Sequence, residues 1–389
     1  MNYRTFGKTG WQASALGFGT MRFPTTDGLN RGPNIDEKKS TELIYFGIEN
    51  GINYIDTAYP YHREQSELFL GKILQGKWRQ QIKLATKLPT WKIETYDDFD
   101  KYLNEQLAKL QTDRIELYLL HSLNRKVYDK IYDLGVLDWA EAKKKEGKIE
   151  FIGFSFHDDL PAFKHIIDSY PNWEFCQIQH NYMNIDFQAG TEGLQYAHAK
   201  EIPVVIMEPL FGGKLAKAPD SILDIMKSVP VNYTPAQWAL FWLWNQPEVN
   251  VILSGMNSME QLKENIASAS QIKVGMLSEA DLKMIDRVRW QYQAISLVPC
   301  TGCNYCQPCP NDVNIPHIFS LFNEGSMYDD LPESRQLYGF LNEAHRANQC
   351  IECGQCESAC PQSIEIIDWL KKADAVLAQG KSYEEVLAE

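Results

Sequence analysis

Eight of the nine cysteines fall in the last ninety residues, in two tight runs: Cys300, Cys303, Cys306 and Cys309, then Cys350, Cys353, Cys356 and Cys360. The second run reads C-x2-C-x2-C-x3-C-P, the spacing that wraps backbone around a cubane iron–sulfur cluster, and both runs end in Cys-Pro. In the first run two residues, not three, separate Cys306 from Cys309, so one cluster and two clusters both stay open. Disulfides compete for these thiols. A 389-residue chain that opens MNYRTFGKTG, however, shows neither an apolar export leader nor the small size of a disulfide scaffold. Structural zinc competes too, since C-x2-C pairs make four-thiolate sites, although zinc usually takes two separated pairs and here the thiols crowd into each run. The spacing favours 4Fe-4S clusters and, with them, a reducing compartment, the cytoplasm. Cys176, within FCQIQ, reads as a buried core thiol.

A second constellation comes earlier in the chain: Asp56, Tyr61, Lys87 and His121. Singly, Asp56 reads as a cap, Lys87 as a surface cation and His121 as a satisfied core histidine. Together they compose a proton-donating site for carbonyl reduction. A free phenol titrates near pH 10, and a neighbouring ammonium favours the phenolate, so Lys87 is expected to lower Tyr61. A buried lysine needs a counter-charge, which Asp56 supplies. His121 is expected to donate a hydrogen bond that orients the substrate oxygen and stabilises charge developing there.

These groups sit at the ends of a regular series of strands. Short apolar runs alternate with helical patterns: SALGFGTM, INYIDTA, IKLATKL, IELYLLH, IEFIGFSFH, FCQIQHN, IPVVIMEP and VNVILSG, with amphipathic segments at 36–50, 96–110, 136–146 and 259–269 between them. Eight such units in about 270 residues fit a (β/α)8 TIM barrel, in which chemistry collects where strands end. A doubly wound sheet lacks its fingerprint here, because Gly17 and Gly19 are followed by neither a third glycine nor a helix. The expected organisation is an α/β barrel over residues 1–290 and a mainly helical, ferredoxin-like iron–sulfur domain over 291–389. That second segment holds 5 Lys or Arg against 14 Asp or Glu, a net of −9 out of −13 for the chain. Such a surface favours neither nucleic acid nor an anionic membrane; it reads first as a solvated face that keeps the protein soluble, and it would also suit steering toward a basic redox partner protein. The run at 238–244, WALFWLW, is roughly a third of the ~20 apolar residues a membrane span requires, so it reads as a core helix.

INYIDTAYPY with SELFLGK, then LATK, then LYLLH, resemble the aldo-keto reductase family in order and spacing, over residues 10–269. CTGCNYCQPCP and CIECGQCESACP resemble the tail of its iron–sulfur-containing branch. The resemblance implies that Tyr61 is the general acid in a tetrad with Asp56, Lys87 and His121, with NAD(P)H delivering hydride to the carbonyl carbon of a small aldehyde or ketone. It implies that Ser155 and Gln177 hold the nicotinamide carboxamide, although Phe156 replaces the asparagine that usually follows the serine. Met207 stands where an aromatic ring often stacks on the nicotinamide. Glu208, Leu210, Gly212 and Gly213 form the loop approaching the pyrophosphate, and Glu264 and Asn265 resemble the adenine-contacting pair. Basic residues that pair with a 2′-phosphate in NADP-preferring members are replaced by Gly255 and Gln261, with only Lys263 near, which argues for NADH or relaxed cofactor choice. Met21, Phe23, Trp91 and His157 are candidates to line the mouth, although aromatics near a barrel rim are more often packing than recognition. In two-cluster ferredoxin folds the fourth cysteine of each run serves the other run's cluster. Applied here, Cys300, Cys303, Cys306 and Cys360 hold one cluster, and Cys350, Cys353, Cys356 and Cys309 the other.

Hydride carries two electrons and a cluster accepts one, and no flavin motif stands out to split the pair. The clusters are therefore expected to sense redox state, to dock an electron carrier, or to staple a domain with little core of its own. The alternative function is a nicotinamide-binding redox sensor or electron-transfer protein acting through the ferredoxin-like tail.

Overall fold

The eight strands named from sequence all form, and a short hairpin precedes them. In the computed structural model, which describes every residue except Asn30, Thr301 and Glu389, ten strands follow in chain order. They are β1 (Tyr3–Thr5), β2 (Gln12–Ser14), β3 (Leu16–Gly19), β4 (Tyr54–Asp56), β5 (Lys83–Leu88), β6 (Ile115–Leu123), β7 (Ile149–Phe156), β8 (Phe175–Gln179), β9 (Val204–Met207) and β10 (Val249–Ser254). Strands β3 to β10 close into a barrel in which each pairs in parallel with its neighbours and β10 returns to β3. Parallel strands are covered on both faces, which is why they read as nearly continuous apolar runs such as Leu117 to Leu120, all buried. β1 and β2 form a separate antiparallel hairpin. Phe6 in its turn is fully buried against Phe175, 5.6 Å between ring centroids, and belongs with Tyr54, Leu117 and Val251 to one apolar cluster.

Side-chain caps start several of the helices between the strands. Asp36 accepts from the Lys39 N–H at 3.1 Å to start Glu37–Glu49, and Ser258 accepts from the Gln261 N–H at 3.3 Å to start Met259–Ala269. The aromatic run at 238–244 lies in the helix Pro235–Trp244, with Trp238 and Trp244 fully buried. Among the described residues no helix is long and apolar enough to cross a membrane.

The chain divides into two compact units, Met1–Gly212 with Ala236–Leu282, and Gly213–Pro235 with Lys283–Glu389. The division falls inside the helix Glu279–Ala294, after Leu282 and a few residues before 290, and it gives 213–235 to the second unit. Lys214, buried, forms an ion pair with Glu324 inside that unit. The second unit also corrects the expectation of a domain with little core. Ile315, Ile318, Phe319 and Phe322 from the helix Ile315–Met327 recur at helical spacing and pack with Ile366, Leu370, Ala373 and Val376 in one buried cluster.

Candidate active site and cysteine-rich recess

Consecutive strands bring four of the expected side chains to one end of the barrel. Asp56 ends β4 and Lys87 lies one residue short of the end of β5, paired in register around them as Asp56↔Ala85. Both are almost wholly buried, at 2% and 1% exposure. The Lys87 ammonium donates to Asp56 Oδ1 at 2.7 Å, to the Thr57 carbonyl at 2.7 Å and, over a longer 3.4 Å, to the Tyr61 hydroxyl. An ammonium has three protons, and each has an acceptor. Because the Tyr61 oxygen accepts from Lys87, its own proton is left to point elsewhere. The His121 ring stands 6.4 Å from that of Tyr61, edge-on at 82°, and Trp91 lies 5.1 Å from His121.

His121 and Tyr61 owe their positions to irregular backbone. The β6–β7 register shifts between Leu120 and Leu123, with Ser122 at φ 56°, a bulge that re-aims the side chain before it. After Tyr61, three successive non-glycine residues, His62, Arg63 and Glu64, take positive φ of 52°, 51° and 70°. His62, 1% exposed, pins this turn, its ring nitrogens lying 2.7 Å from the Gly32 carbonyl and 3.1 Å from that of Thr20. Behind Lys87, buried Gln106 donates to the Lys87 carbonyl at 3.0 Å and to Glu67 at 2.6 Å, and Glu67 accepts from Thr86 at 2.6 Å. Neither His62 nor this network was singled out from sequence. Their partners lie across the fold, and only the presence of polar residues inside amphipathic segments hinted at them.

The electrostatics differ from expectation at one group. Burial pushes Lys87 down, but Asp56 and Tyr61 more than restore it, so it is an ammonium. Burial also raises Tyr61; Lys87 pulls it back, and the net direction is above the ordinary phenol value. The expectation of an acidified phenol is therefore corrected: at neutral pH Tyr61 is protonated, because the cost of burying a phenolate exceeds the help of one adjacent ammonium. Burial, with Lys87 adding, holds His121 well below its usual value, so it is neutral; its Nδ1 is buried without a partner.

The remaining expected residues are placed as follows. Ser155 and Gln177 are opposite one another on β7 and β8, both nearly buried. The Ser155 hydroxyl accepts from the Ser122 N–H at 2.7 Å, and Gln177 Oε1 is buried with no hydrogen-bond partner. An orphaned buried acceptor costs free energy until a donor reaches it, and a carboxamide –NH2 is such a donor. Met207 ends β9, and Met207, Glu208 and Leu210 are half-buried. Gly212 and Gly213 have φ of 71° and 100°, backbone that favours glycine. Glu264 is half-buried on the helix Met259–Ala269, whereas Asn265 is 4% exposed and donates to Ser254 at 3.1 Å, tying that helix to the end of β10. Trp91 is 46% exposed beside His121, and His157 lies 3.3 Å from Gln188. Phe23 is not at the mouth. It is 3% exposed and packs on Phe18 and Phe69.

In the second unit, Cys300, Cys303, Cys306 and Cys360 together line a small recess walled by Ile315, Pro316, Phe319 and Ile366. Burial raises the Cys300 and Cys306 thiols, and the neighbouring charges of Cys303 and Cys360 add to it. The thiols ring this space; among the described residues no group of three or more His, Cys, Asp or Glu side chains converges as a single ion requires. Cys356 is pushed up to about 11, chiefly by burial, with the Glu357 carboxylate and then Cys350 adding to it. Asn311, two residues past Cys309, donates to the Gln349 carbonyl at 2.5 Å, which draws the end of the first run toward the start of the second. All four side chains of each expected set are free thiols here.

A closed eight-stranded parallel barrel with a lysine–carboxylate pair and a protonated phenol at one end defines the first unit as a barrel enzyme. A sequence profile of the Aldo/keto reductase family matches residues 15–289, and a profile of the 4Fe-4S dicluster domain matches 299–365. The chain belongs to the aldo/keto reductase family. It is 27% identical over 320 residues to YrpG of Bacillus subtilis (strain 168), described as an uncharacterized oxidoreductase, covering 68% of this chain and 90% of that protein. The solved holo form of aldo-keto reductase AKR11C1 from Bacillus halodurans is similar at 25% identity and a TM-score of 0.61, over 74% of this chain and 96% of that one. An aldo-keto reductase from Klebsiella pneumoniae, solved in complex with NADPH, shares the fold at 22% identity and a TM-score of 0.58, over the same 74% and 96%.

Proposed function

We propose that this enzyme reduces a small aldehyde or ketone to an alcohol with NAD(P)H, Tyr61 acting as general acid. The observation that carries the reading is the Lys87 ammonium, held by Asp56 at 2.7 Å and contacting the Tyr61 hydroxyl at 3.4 Å. Bound NAD(P)H supplies a hydride to the carbonyl carbon. The chain's own residues do the rest. His121, neutral, hydrogen-bonds the substrate oxygen and orients it. Tyr61 gives its proton to that oxygen as negative charge builds, and the Lys87 ammonium stabilises the phenolate left behind. Gln177 Oε1 and the Ser155 hydroxyl hold the carboxamide, and the backbone at Gly212 and Gly213 leaves room for the pyrophosphate.

The cysteines hold two 4Fe-4S clusters, on Cys300, Cys303, Cys306 and Cys360 and on Cys350, Cys353, Cys356 and Cys309, which supply one-electron chemistry. The recess lined by the first four supports this set. The unit's own apolar core favours electron exchange with a partner protein over a purely structural role, and the acidic surface suits a basic partner. Thiols kept for iron fit a reducing compartment, the cytoplasm.

The test is Tyr61→Phe on the cluster-loaded protein, assayed against an aldehyde and ketone panel. Carbonyl reduction should fall by roughly a hundredfold to ten-thousandfold with NAD(P)H affinity retained. Undiminished reduction would remove Tyr61 from the chemistry. A wild type that reduces nothing on the panel but binds nicotinamide would favour the sensor.

A further inference from the structure

We propose that Arg22 is the cation that holds the diphosphate of the dinucleotide, a role that rests on the nicotinamide-dependent reading above. Arg22 lies in the loop that follows β3, three residues beyond its last residue, Gly19. Its side chain runs across two glycines from other loops. A Cβ on Gly255 would meet the Cβ, Cδ and Cγ of Arg22 at 3.2, 3.2 and 3.3 Å, and a Cβ on Gly212 would meet its Nη2 at 3.1 Å. The stem therefore lies on the loop after β10, and the guanidinium reaches the loop after β9.

On an eight-stranded barrel the loops after the seventh and eighth strands build the phosphate site. Here those strands are β9 and β10. A guanidinium presents a planar fork of donors that matches phosphate oxygens. Its charge also answers a local problem. Glu208 Oε2 lies 3.7 Å from that same Cβ position on Gly212, so a diphosphate arriving at this loop meets a carboxylate. Like charges repel unless a cation stands with them. At 212 any side chain would push on Nη2, and the φ of 71° already favours glycine.

The position also separates two kinds of phosphate. The guanidinium sits at Gly212, not at the start of the helix Met259–Ala269, where the Gln261 side chain accepts from the Asn257 N–H at 3.0 Å. Arg22 thus serves the diphosphate that NADH and NADPH share, and not the 2′-phosphate that only one of them carries.

The experiment titrates the cluster-loaded full chain and its Arg22→Ala and Arg22→Lys variants with NADH and with NADPH, following nicotinamide fluorescence, and repeats the NADH titration against inorganic pyrophosphate. Arg22→Ala should weaken both dinucleotides by a similar factor, about tenfold to a hundredfold, and abolish the competition by pyrophosphate. Arg22→Lys should still lose about fivefold on both, since a point charge cannot match the fork, and it carries the test if the alanine variant does not fold. Affinities unchanged within about twofold, or a loss confined to NADPH, would overturn the assignment. A wild type that binds neither dinucleotide would overturn the nicotinamide reading itself, and Arg22's role with it.

Discussion

The barrel mouth and the cysteine-rich recess solve the problem of placing reactive groups in opposite ways. At the mouth, Asp56, Lys87 and Tyr61 are fastened to one another and to strand ends, and Gln106 and Glu67 brace them from behind. In the recess, Cys300, Cys303 and Cys306 sit on irregular chain, and the order around them comes from a neighbouring apolar core. The first site is complete in its protein groups before a ligand arrives. The second is a set of thiols spaced for something else to join. The barrel's chemistry should therefore survive damage to the recess, while its own ion pair should tolerate almost no change.

The largest effect should come from Lys87→Met, which leaves Asp56 buried without its counter-charge. Breaking a buried pair this way costs about 3–5 kcal/mol of stability, measurable by denaturant unfolding of the barrel. Carbonyl reduction should fall with it. A loss below about 1 kcal/mol would mean the pair is better hydrated than its burial implies.

Next is Cys360→Ala, which removes one of the four thiols around the recess. Iron and acid-labile sulfide should fall from about eight of each per chain to about four, with part of the visible absorbance. Carbonyl reduction should stay within about twofold, since each unit has its own core. A parallel collapse of barrel activity would erase the contrast between the two regions.

The smallest effect is expected from Gln177→Ala. Its Oε1 lacks a partner in the barrel, and losing the bond it offers to the carboxamide should raise the KM for NAD(P)H by about tenfold while kcat changes less. An unchanged KM would show that the orphan acceptor has another purpose.

How much of this was legible in the sequence depended on whether the signal was local. The eight barrel strands announced themselves because burial on both faces makes apolar runs. The hairpin of β1 and β2 did not, because Tyr3–Thr5 and Gln12–Ser14 are short and partly exposed, with no sustained alternation. Phe23 fell to packing and not to the mouth because the chain turns inward after β3, which no local pattern records. The left-handed run His62, Arg63 and Glu64 contains no glycine, so nothing marked it. The direction of the Tyr61 shift was unreadable for a deeper reason. A neighbouring lysine can be inferred from spacing, but desolvation sums the whole enclosure around the ring. Arg22 was missed because Gly212 and Gly255 approach it only once the barrel closes. The charge and apolar content of 291–389 were visible, yet the helical spacing of Ile315, Ile318, Phe319 and Phe322 passed as scatter beside the cysteines.

The central claim is a protonated phenol that gives its proton to the carbonyl oxygen, and the most direct measurement is the pH dependence of kcat/KM for carbonyl reduction by the wild type. Reduction uses the acid form, so activity should persist while Tyr61 keeps its proton and be lost as pH rises through its value, which burial sets above the ordinary 10. His121 stays neutral until well below pH 6.5, so no second limb should appear near neutrality. The account predicts a plateau from about pH 7 to about pH 9 with a single fall above about pH 10. A fall centred at or below about pH 8 would contradict it, since it would mean that the proton comes from a different group or from a phenol that Lys87 has made acidic after all.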